Sequence, residues 1–198
     1  MSTAVFSPYS SGNSSVAKRT RDSIVGYGAI RGYDVLRPMR SIDGYLARDL
    51  KMVRALLDCY DTVLMVDADA LITNTDFDLS IIEPPNVAMS REIEGRAPIN
   101  AGVSLWSSND LTRRIITAIC DKEEVWSNKG TPDIYWQSYL PERPDLMEHV
   151  TILNPRILNA TDQTGDWHWR PGDFLCHFLG GTVESKVERI EGFLKNAV

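Results

Sequence analysis

The 198-residue sequence predicts an α/β fold with a mostly parallel central sheet flanked by helices. Three observations lead there. Short apolar segments alternate with segments of helical periodicity, the pattern that crossover connections between parallel strands produce. The run Thr62-Val63-Leu64-Met65-Val66 is uninterrupted rather than alternating, as expected of a strand covered on both faces. Just before it, Leu46, Leu50, Val53, Leu57 and Tyr60 recur at spacings of four, three, four and three, which aligns them as one helical stripe.

Taken in order, AVFSP (4–8) reads as a first strand running into the small-residue loop YSSGNSS. A polar helix follows from Val16 to about Arg31, with Gly32 where a helix C-terminus favours glycine. DVLRP (34–38) is a second short strand. The striped helix comes next, with Ser41 and Asp43 available to cap its start. After Thr62–Val66, further strands are expected at NVAMS (86–90), INAGVSLW (99–106), VTILN (150–154) and FLCHFLG (174–180). A helix starts near Asn109, with Leu111, Ile115 and Ile119 on one side. No repeat and no long linker divides the chain, so a single domain over 1–198 is expected.

The net charge of −6 and pI near 5.1 argue against a broad basic surface for nucleic acid or anionic lipid. Cys59, Cys120 and Cys176 form no CxxC pair, which fits neither a disulfide framework nor a zinc cluster and suits a reducing compartment. No apolar run approaches the ~20 residues that span a bilayer. The first residues lack the basic-then-apolar order of a signal peptide. The expectation is a cytoplasmic protein with no membrane span.

The chemistry concentrates in three places. At Asp67-Ala68-Asp69 an apolar strand ends in two carboxylates, then returns to apolar residues at Ala70-Leu71-Ile72. One reading is turn chemistry, since Asp often starts the loop after a strand. The other is a cation site: two close, partly buried carboxylates repel unless a hard divalent ion such as Mg²⁺ or Mn²⁺ intervenes, and such an ion also binds phosphate oxygens. The apolar strand before the pair and the lack of a basic neighbour in sequence favour the second. In α/β sheets ligands collect at the carboxyl ends of strands, where this pair stands. His177 lies inside a strand-like run with Gly180 and Gly181 beyond it. It is either a core histidine or a ligand beside glycines whose N–H groups meet a diphosphate, and an imidazole ligand would favour Mn²⁺ over Mg²⁺. Asn100, Ala101 and Gly102 interrupt a strand, either as a bulge or as an amide reading sugar hydroxyls. Trp167, His168 and Trp169 offer flat faces to an acceptor sugar or a lid to the core.

LMVDADALITN, INAGVSLW, ILNPRILNA and GDFLCHFLGG occur in the order and approximate spacing of GT-A glycosyltransferases. The set most resembles the family of Golgi α-galactosyl, α-mannosyl and xyloglucan α-xylosyltransferases. RGYDVLRP is similar to that family's HGYD-type second strand, so the likeness runs from about Arg31 to Gly181. The resemblance implies a GT-A (Rossmann-like) fold and transfer of a sugar from a nucleotide-diphosphate donor, with UDP the expected nucleotide. The acceptor would be a glycan or other hydroxyl, since the acidic charge argues against nucleic acid.

By the same resemblance Asp67, Asp69 and His177 would hold Mn²⁺ (or Mg²⁺), and Asp67-Ala68-Asp69, with Gly180 and Gly181, would face the donor diphosphate. Asn100, with Ala101 and Gly102, would lie near the donor sugar. Asp133 in TPDIYWQ corresponds to the family's acidic residue near the reacting centre, although no Gln follows it. Thr182 stands where the family often has Lys, leaving Lys186 as the nearest basic candidate for the leaving diphosphate, ahead of Arg48 and Lys51. Tyr9, Ser10 and Ser11 are candidate nucleoside contacts, and Trp167 and Trp169 candidate acceptor contacts. No membrane anchor of the Golgi kind is found, so a setting outside that secretory context is expected. The resemblance implies retention of configuration; an inverting enzyme would need a carboxylate base, for which Asp133 or Asp173 would serve. Two rivals remain: a phosphatase with Asp67 as nucleophile and Asp69 as general acid, and a nucleotide-sugar-binding module without turnover.

Overall fold

A computed structural model describes residues 1–40, 46–82, 86–92, 98–127 and 139–196. Its main elements, in chain order, are β1 (Thr3–Phe6), β2 (Tyr9–Ser10), α1 (Ser14–Arg31), β3 (Asp34–Leu36), β4 (Met39–Arg40), α2 (Leu46–Leu56), β5 (Thr62–Val66), β6 (Ala70–Ile72), β7 (Val87–Arg91), β8 (Ile99–Ser107), α3 (Asp110–Ser127), α4 (Pro144–Met147), β9 (Val150–Leu153), α5 (Pro155–Leu158), β10 (Leu175–His177) and α6 (Val183–Asn196). Each strand and helix expected from the sequence is present among them. The proposed caps Ser41 and Asp43 lie outside the described residues.

The central sheet runs β3-β1-β5-β8-β7-β9. β1 pairs in parallel with β3 and β5, β7 in parallel with β9, and β8 antiparallel to both β5 and β7. Five strands therefore point one way and β8 the other, so the sheet is mostly parallel. β5 is fully buried, and its side chains divide between two cores as a two-sided strand requires. Val63 and Met65 face Leu50, Val53 and Leu57 of the α2 region and Ile115, Ile116 and Ile119 of α3. Leu64 and Val66 face Ile24 and Tyr27 of α1, together with Phe174. A third cluster joins Val16, Leu71, Cys176, Phe178 and Ile190, so α6 packs outside α1.

Local chemistry explains the helix ends. Gly32 adopts a left-handed conformation (φ 68°), and its N–H closes α1 on the Gly28 carbonyl. Gly28 itself lets β3 approach, since a Cβ there would strike the Val35 side chain. Asn109 Oδ1 accepts the Thr112 N–H at 2.9 Å and caps α3.

Two small sheets flank the main one. β10 pairs antiparallel with β6, matching His177 to Ala70, and β2 pairs in parallel with β4. FLCHFLG is thus a strand, but it belongs to a separate pair lying against the end of β5. The β7–β8 ladder jumps from Met89–Ser104 to Ser90–Asn100, which leaves Ala101, Gly102 and Val103 unmatched on the β7 side. This irregularity turns the Gly102 carbonyl toward the end of β5. Among the described residues no helix is long and apolar enough to cross a membrane.

Candidate metal and donor site

The backbone after β5 is pinned from three directions. Asp67 N–H donates to the Gly102 carbonyl at 2.7 Å, Thr20 Oγ1 of α1 donates to the Ala68 carbonyl at 2.8 Å, and Phe178 N–H donates to the Asp69 carbonyl at 3.0 Å. Ala70 N–H returns to the Asp67 carbonyl at 3.1 Å. The two sequence readings of the acidic pair are therefore compatible: the backbone makes a tight turn, and the turn presents both carboxylates to one point. Ala68 is buried within it.

That point includes His177. One ligating atom from each of Asp67, Asp69 and His177 lies within 4.8 Å of the others. His177 Nε2 is 3.2 Å from Asp69 Oδ1, and its ring is 2% exposed as a residue. Its Nδ1 lies 2.9 Å from Asn159 Oδ1, while Asn159 Nδ2 donates to the Arg91 carbonyl at 3.3 Å. The Arg91 contact fixes which end of the amide faces the ring. Nδ1 therefore donates to Asn159, and Nε2 is the ring nitrogen turned to the carboxylates: protonated it donates to Asp69, and without that proton it would present its lone pair to a metal.

Two carboxylates, one oriented imidazole and no bulk between them suit a divalent ion such as Mn²⁺. Gly102 maintains that lack of bulk: a Cβ there would collide with Asp67 Oδ2 and come within 2.7 Å of His177 Cε1.

Charge balance within the cluster comes from distant sequence. Lys186 Nζ of α6 forms a tight ion pair with Asp69 Oδ2. Burial raises the Asp69 pKa, but the charges and hydrogen bonds of His177 and Lys186 outweigh it and hold the carboxyl well below the usual range. For His177 burial lowers the pKa, yet Asp69, with help from Asp67, leaves it above the ordinary imidazole value.

Gly180 and Gly181 follow β10 with φ of 60° and 79°, in the left-handed region that favours glycine. Arg189 holds this turn, donating to the carbonyls of Leu179 and Gly180 at 2.9 Å each, while Asp162 accepts its other nitrogen at 2.9 Å. Thr182 Oγ1 accepts the Ser185 N–H at 3.2 Å, so the residue standing where lysine was expected caps α6 instead.

The other anticipated residues have the following partners within the protein. Asn100 is buried; its Oδ1 accepts the Gly102 N–H at 2.9 Å and its Nδ2 donates to Glu92 Oε2 at 2.8 Å, so the amide shapes the Gly102 turn. Ala101 is buried in the core beneath it. Trp169 takes the lid role: its indole N–H donates to Thr73 Oγ1 at 2.9 Å and its ring meets Phe193 edge-on at 4.8 Å. Trp167 is half-buried, and its carbonyl accepts the Thr161 N–H. Ser10 bonds Asn13 at the start of α1, and Tyr9 faces the Arg37 guanidinium at 5.9 Å. Asp173 is locked to Arg156 at 2.7 Å, and Lys51 is exposed. Asp133 lies outside the described residues, and so does the side chain of Arg48. Sequence reading missed Asn159, Arg189 and Asp162; ILNPRILNA contains Asn159, but nothing local marks its amide as the partner of a histidine 18 residues on.

The strand order, with an acidic turn at the end of the central strand and a short outer pair closing over it, defines the GT-A class of fold. No family model matches the chain, and no curated protein does. Among solved structures the fold is similar to that of a glycosyltransferase involved in the glycosylation of the major capsid of PBCV-1, with a TM-score of 0.73 at 15% identity over 97% of this chain and all of that one. It is also similar to the glycosyltransferase GlyE of Streptococcus pneumoniae TIGR4, with a TM-score of 0.60 at 14% identity over all of this chain and 64% of that one. The expected fold is borne out by these likenesses.

Proposed function

We propose that the chain, acting as one catalytic domain over 1–198, transfers a sugar from a nucleotide-diphosphate donor, UDP-linked in the simplest reading, to a hydroxyl of a glycan or similar acceptor. The observation that carries this is the convergence of Asp67, Asp69 and His177 within 4.8 Å on a fold shared with solved glycosyltransferases. These three residues would hold the metal, Mn²⁺ by preference because one ligand is an imidazole. When bound, a divalent ion there supplies positive charge to the diphosphate as the glycosidic bond breaks.

The chain's own residues supply the rest. Asn159 orients His177, and Gly102 keeps the space between the ligands open. Arg189 fixes the Gly180–Gly181 turn, whose backbone N–H groups would meet the diphosphate. Lys186, already paired with Asp69, would supply positive charge to the leaving group. The Asp173–Arg156 pair weighs against Asp173 as the base of an inverting reaction, and retention is the outcome proposed here. The ion pairs of Asp69 with Lys186 and His177 weigh against its acting as the general acid of a phosphatase.

The test is a thermal-shift and turnover screen of nucleotide sugars with Mn²⁺, Mg²⁺ or EDTA, on wild type and Asp69→Ala. A donor at 100 times its Kd should stabilise the native state by about 2.7 kcal/mol, in the presence of metal and only in wild type. The proposal fails if no nucleotide sugar stabilises the metal-loaded wild type, or if the variant responds equally. Stabilisation without hydrolysis or transfer across acceptors would point to the binding module.

A further inference from the structure

A second feature lies at the β3 edge of the sheet, separated by β1 from the strand that carries Asp67. There a cavity of about 570 Å³ opens between α1 and β3. Its walls include Lys18, Arg21 and Val25 on one side of α1, Val35 and Arg37 from the β3 side, and the ring of Tyr9. The volume falls within the range of small-molecule sites. Three cations line it and, among the described residues, no carboxylate does, in a chain whose net charge is −6.

Arg37 is the residue that makes this more than a solvated basic face. One terminal nitrogen donates to the Ala17 carbonyl at 3.0 Å, and the guanidinium stands 5.9 Å from the centre of the Tyr9 ring. Its Nε is buried and has no hydrogen-bond partner. No ion pair to Arg37 is formed among the described residues. Asp22 attracts it from a distance but is exposed and does not line the cavity, whereas Arg21 repels it. A partly desolvated guanidinium with an unmet donor, facing two further cations, is an arrangement that an oxyanion relieves. A planar donor fork beside a lysine matches phosphate geometry, with Arg binding in bidentate fashion and Lys as a point charge. Val25, Val35 and Tyr9 add apolar and flat surface beside the charges, where an organic group attached to a phosphate would rest.

We propose that this cavity is an anion site separate from the metal cluster, taking a phosphate-type oxyanion, free or carried on a small organic group, on Lys18, Arg21 and Arg37. The inference does not rest on the glycosyl-transfer reading, because it needs neither metal nor donor.

The experiment is calorimetric titration of the full chain in EDTA with inorganic phosphate and, separately, with phenyl phosphate. Wild type should bind with a Kd at or below about 1 mM. Lys18→Gln/Arg21→Gln, which changes two exposed side chains and leaves the fold intact, should weaken binding at least about tenfold. Lys186→Gln, at the metal cluster, should leave it within about twofold. Tighter binding of phenyl phosphate assigns an organic phosphate to the Tyr9–Val25–Val35 wall, and equal binding assigns the free oxyanion; both support the site. Arg37→Gln is read only alongside a matching Tm, since Arg37 also ties β3 to α1. The proposal is overturned if wild type shows no saturation by roughly 10 mM. It is equally overturned if the double variant binds as wild type does, or if Lys186→Gln alone abolishes binding.

Discussion

Replacing Gly102 with alanine tests the candidate site at its tightest point. The added Cβ would overlap Asp67 Oδ2 and stand 2.7 Å from His177 Cε1. Comfortable carbon–carbon contact begins near 3.5 Å, so the imidazole would have to retreat by about 0.8 Å. It has little room to do so: His177 is 2% exposed, its Nδ1 is tied to Asn159 at 2.9 Å, and its backbone N–H donates to the Ala160 carbonyl at 2.7 Å. The Asp67 carboxylate gives way more easily, and rotating it removes one ligand from the shared point. Overpacking of this kind costs about 1–3 kcal/mol of stability. Disturbing ligand orientation costs about 10–100-fold in metal affinity, or about 1.4–2.8 kcal/mol. Gly102→Ala should therefore fold in EDTA with a lowered Tm and bind Mn²⁺ at least about tenfold more weakly than wild type by calorimetry. A variant with wild-type Tm and Mn²⁺ affinity within about twofold would refute the placement of these three residues around one ion.

Four further outcomes follow from the same geometry. Asn159→Ala should lower Mn²⁺ affinity by about 10–100-fold, because the histidine loses the acceptor that fixes its tautomer, and calorimetry of a folded variant checks this. In EDTA, stability should be highest between the ordinary Asp and His values of 3.8 and 6.5: the depressed Asp69 pKa contributes stability above 3.8 that is lost as pH falls through its folded value, and the raised His177 pKa contributes below 6.5 and is lost as pH rises through its folded value. Mn²⁺ affinity should rise with pH over that second interval, with proton release measurable as a buffer-dependent binding enthalpy. Trp169→Ala should cost roughly 3 kcal/mol in denaturant unfolding, as for a packed aromatic, yet leave Mn²⁺ affinity within about twofold; a folded, equally stable variant would return Trp169 to the acceptor surface.

What was readable in the sequence is what depends on near neighbours. The apolar run of β5, the cap at Gly32 and the helix start at Asn109 each follow from residues within a turn or a strand length. So does the end of β5 in two acids. Strand direction has no such local mark, because a buried antiparallel strand is as continuously apolar as a parallel one; β8 shows its reversal only in its pairing. FLCHFLG reads as a strand for the same local reason, but its partnership with β6 depends on how some hundred residues of intervening chain fold. Asn100 shows the opposite limit. An amide followed by two small residues is conspicuous in a strand, yet its bond to the Gly102 N–H depends on the break in the β7–β8 ladder, which no local residue marks. Trp169 is similar, since its packing partner Phe193 lies on a helix not adjacent in sequence.

The pairing of Asp69 with Lys186 and His177 explains how this acidic cluster folds stably without a bound cation. Two desolvated carboxylates facing one point would repel, and one would take up a proton at a cost in stability. Here one lysine of α6 and one imidazole of β10 occupy the two oxygens of Asp69, so the apo cluster is already near charge balance. For a divalent ion to be held by these residues, His177 Nε2 would have to be without its proton and the lysine pair would weaken. Its net affinity is accordingly smaller than the bare charge of the acids implies. The displaced Lys186 remains tethered by α6 beside the Gly180–Gly181 turn, so the positive charge released from Asp69 stays available to an anion bound there. Metal loading and diphosphate binding are therefore expected to reinforce one another through a single side chain, and Lys186→Gln should weaken the diphosphate more in the presence of metal than in its absence.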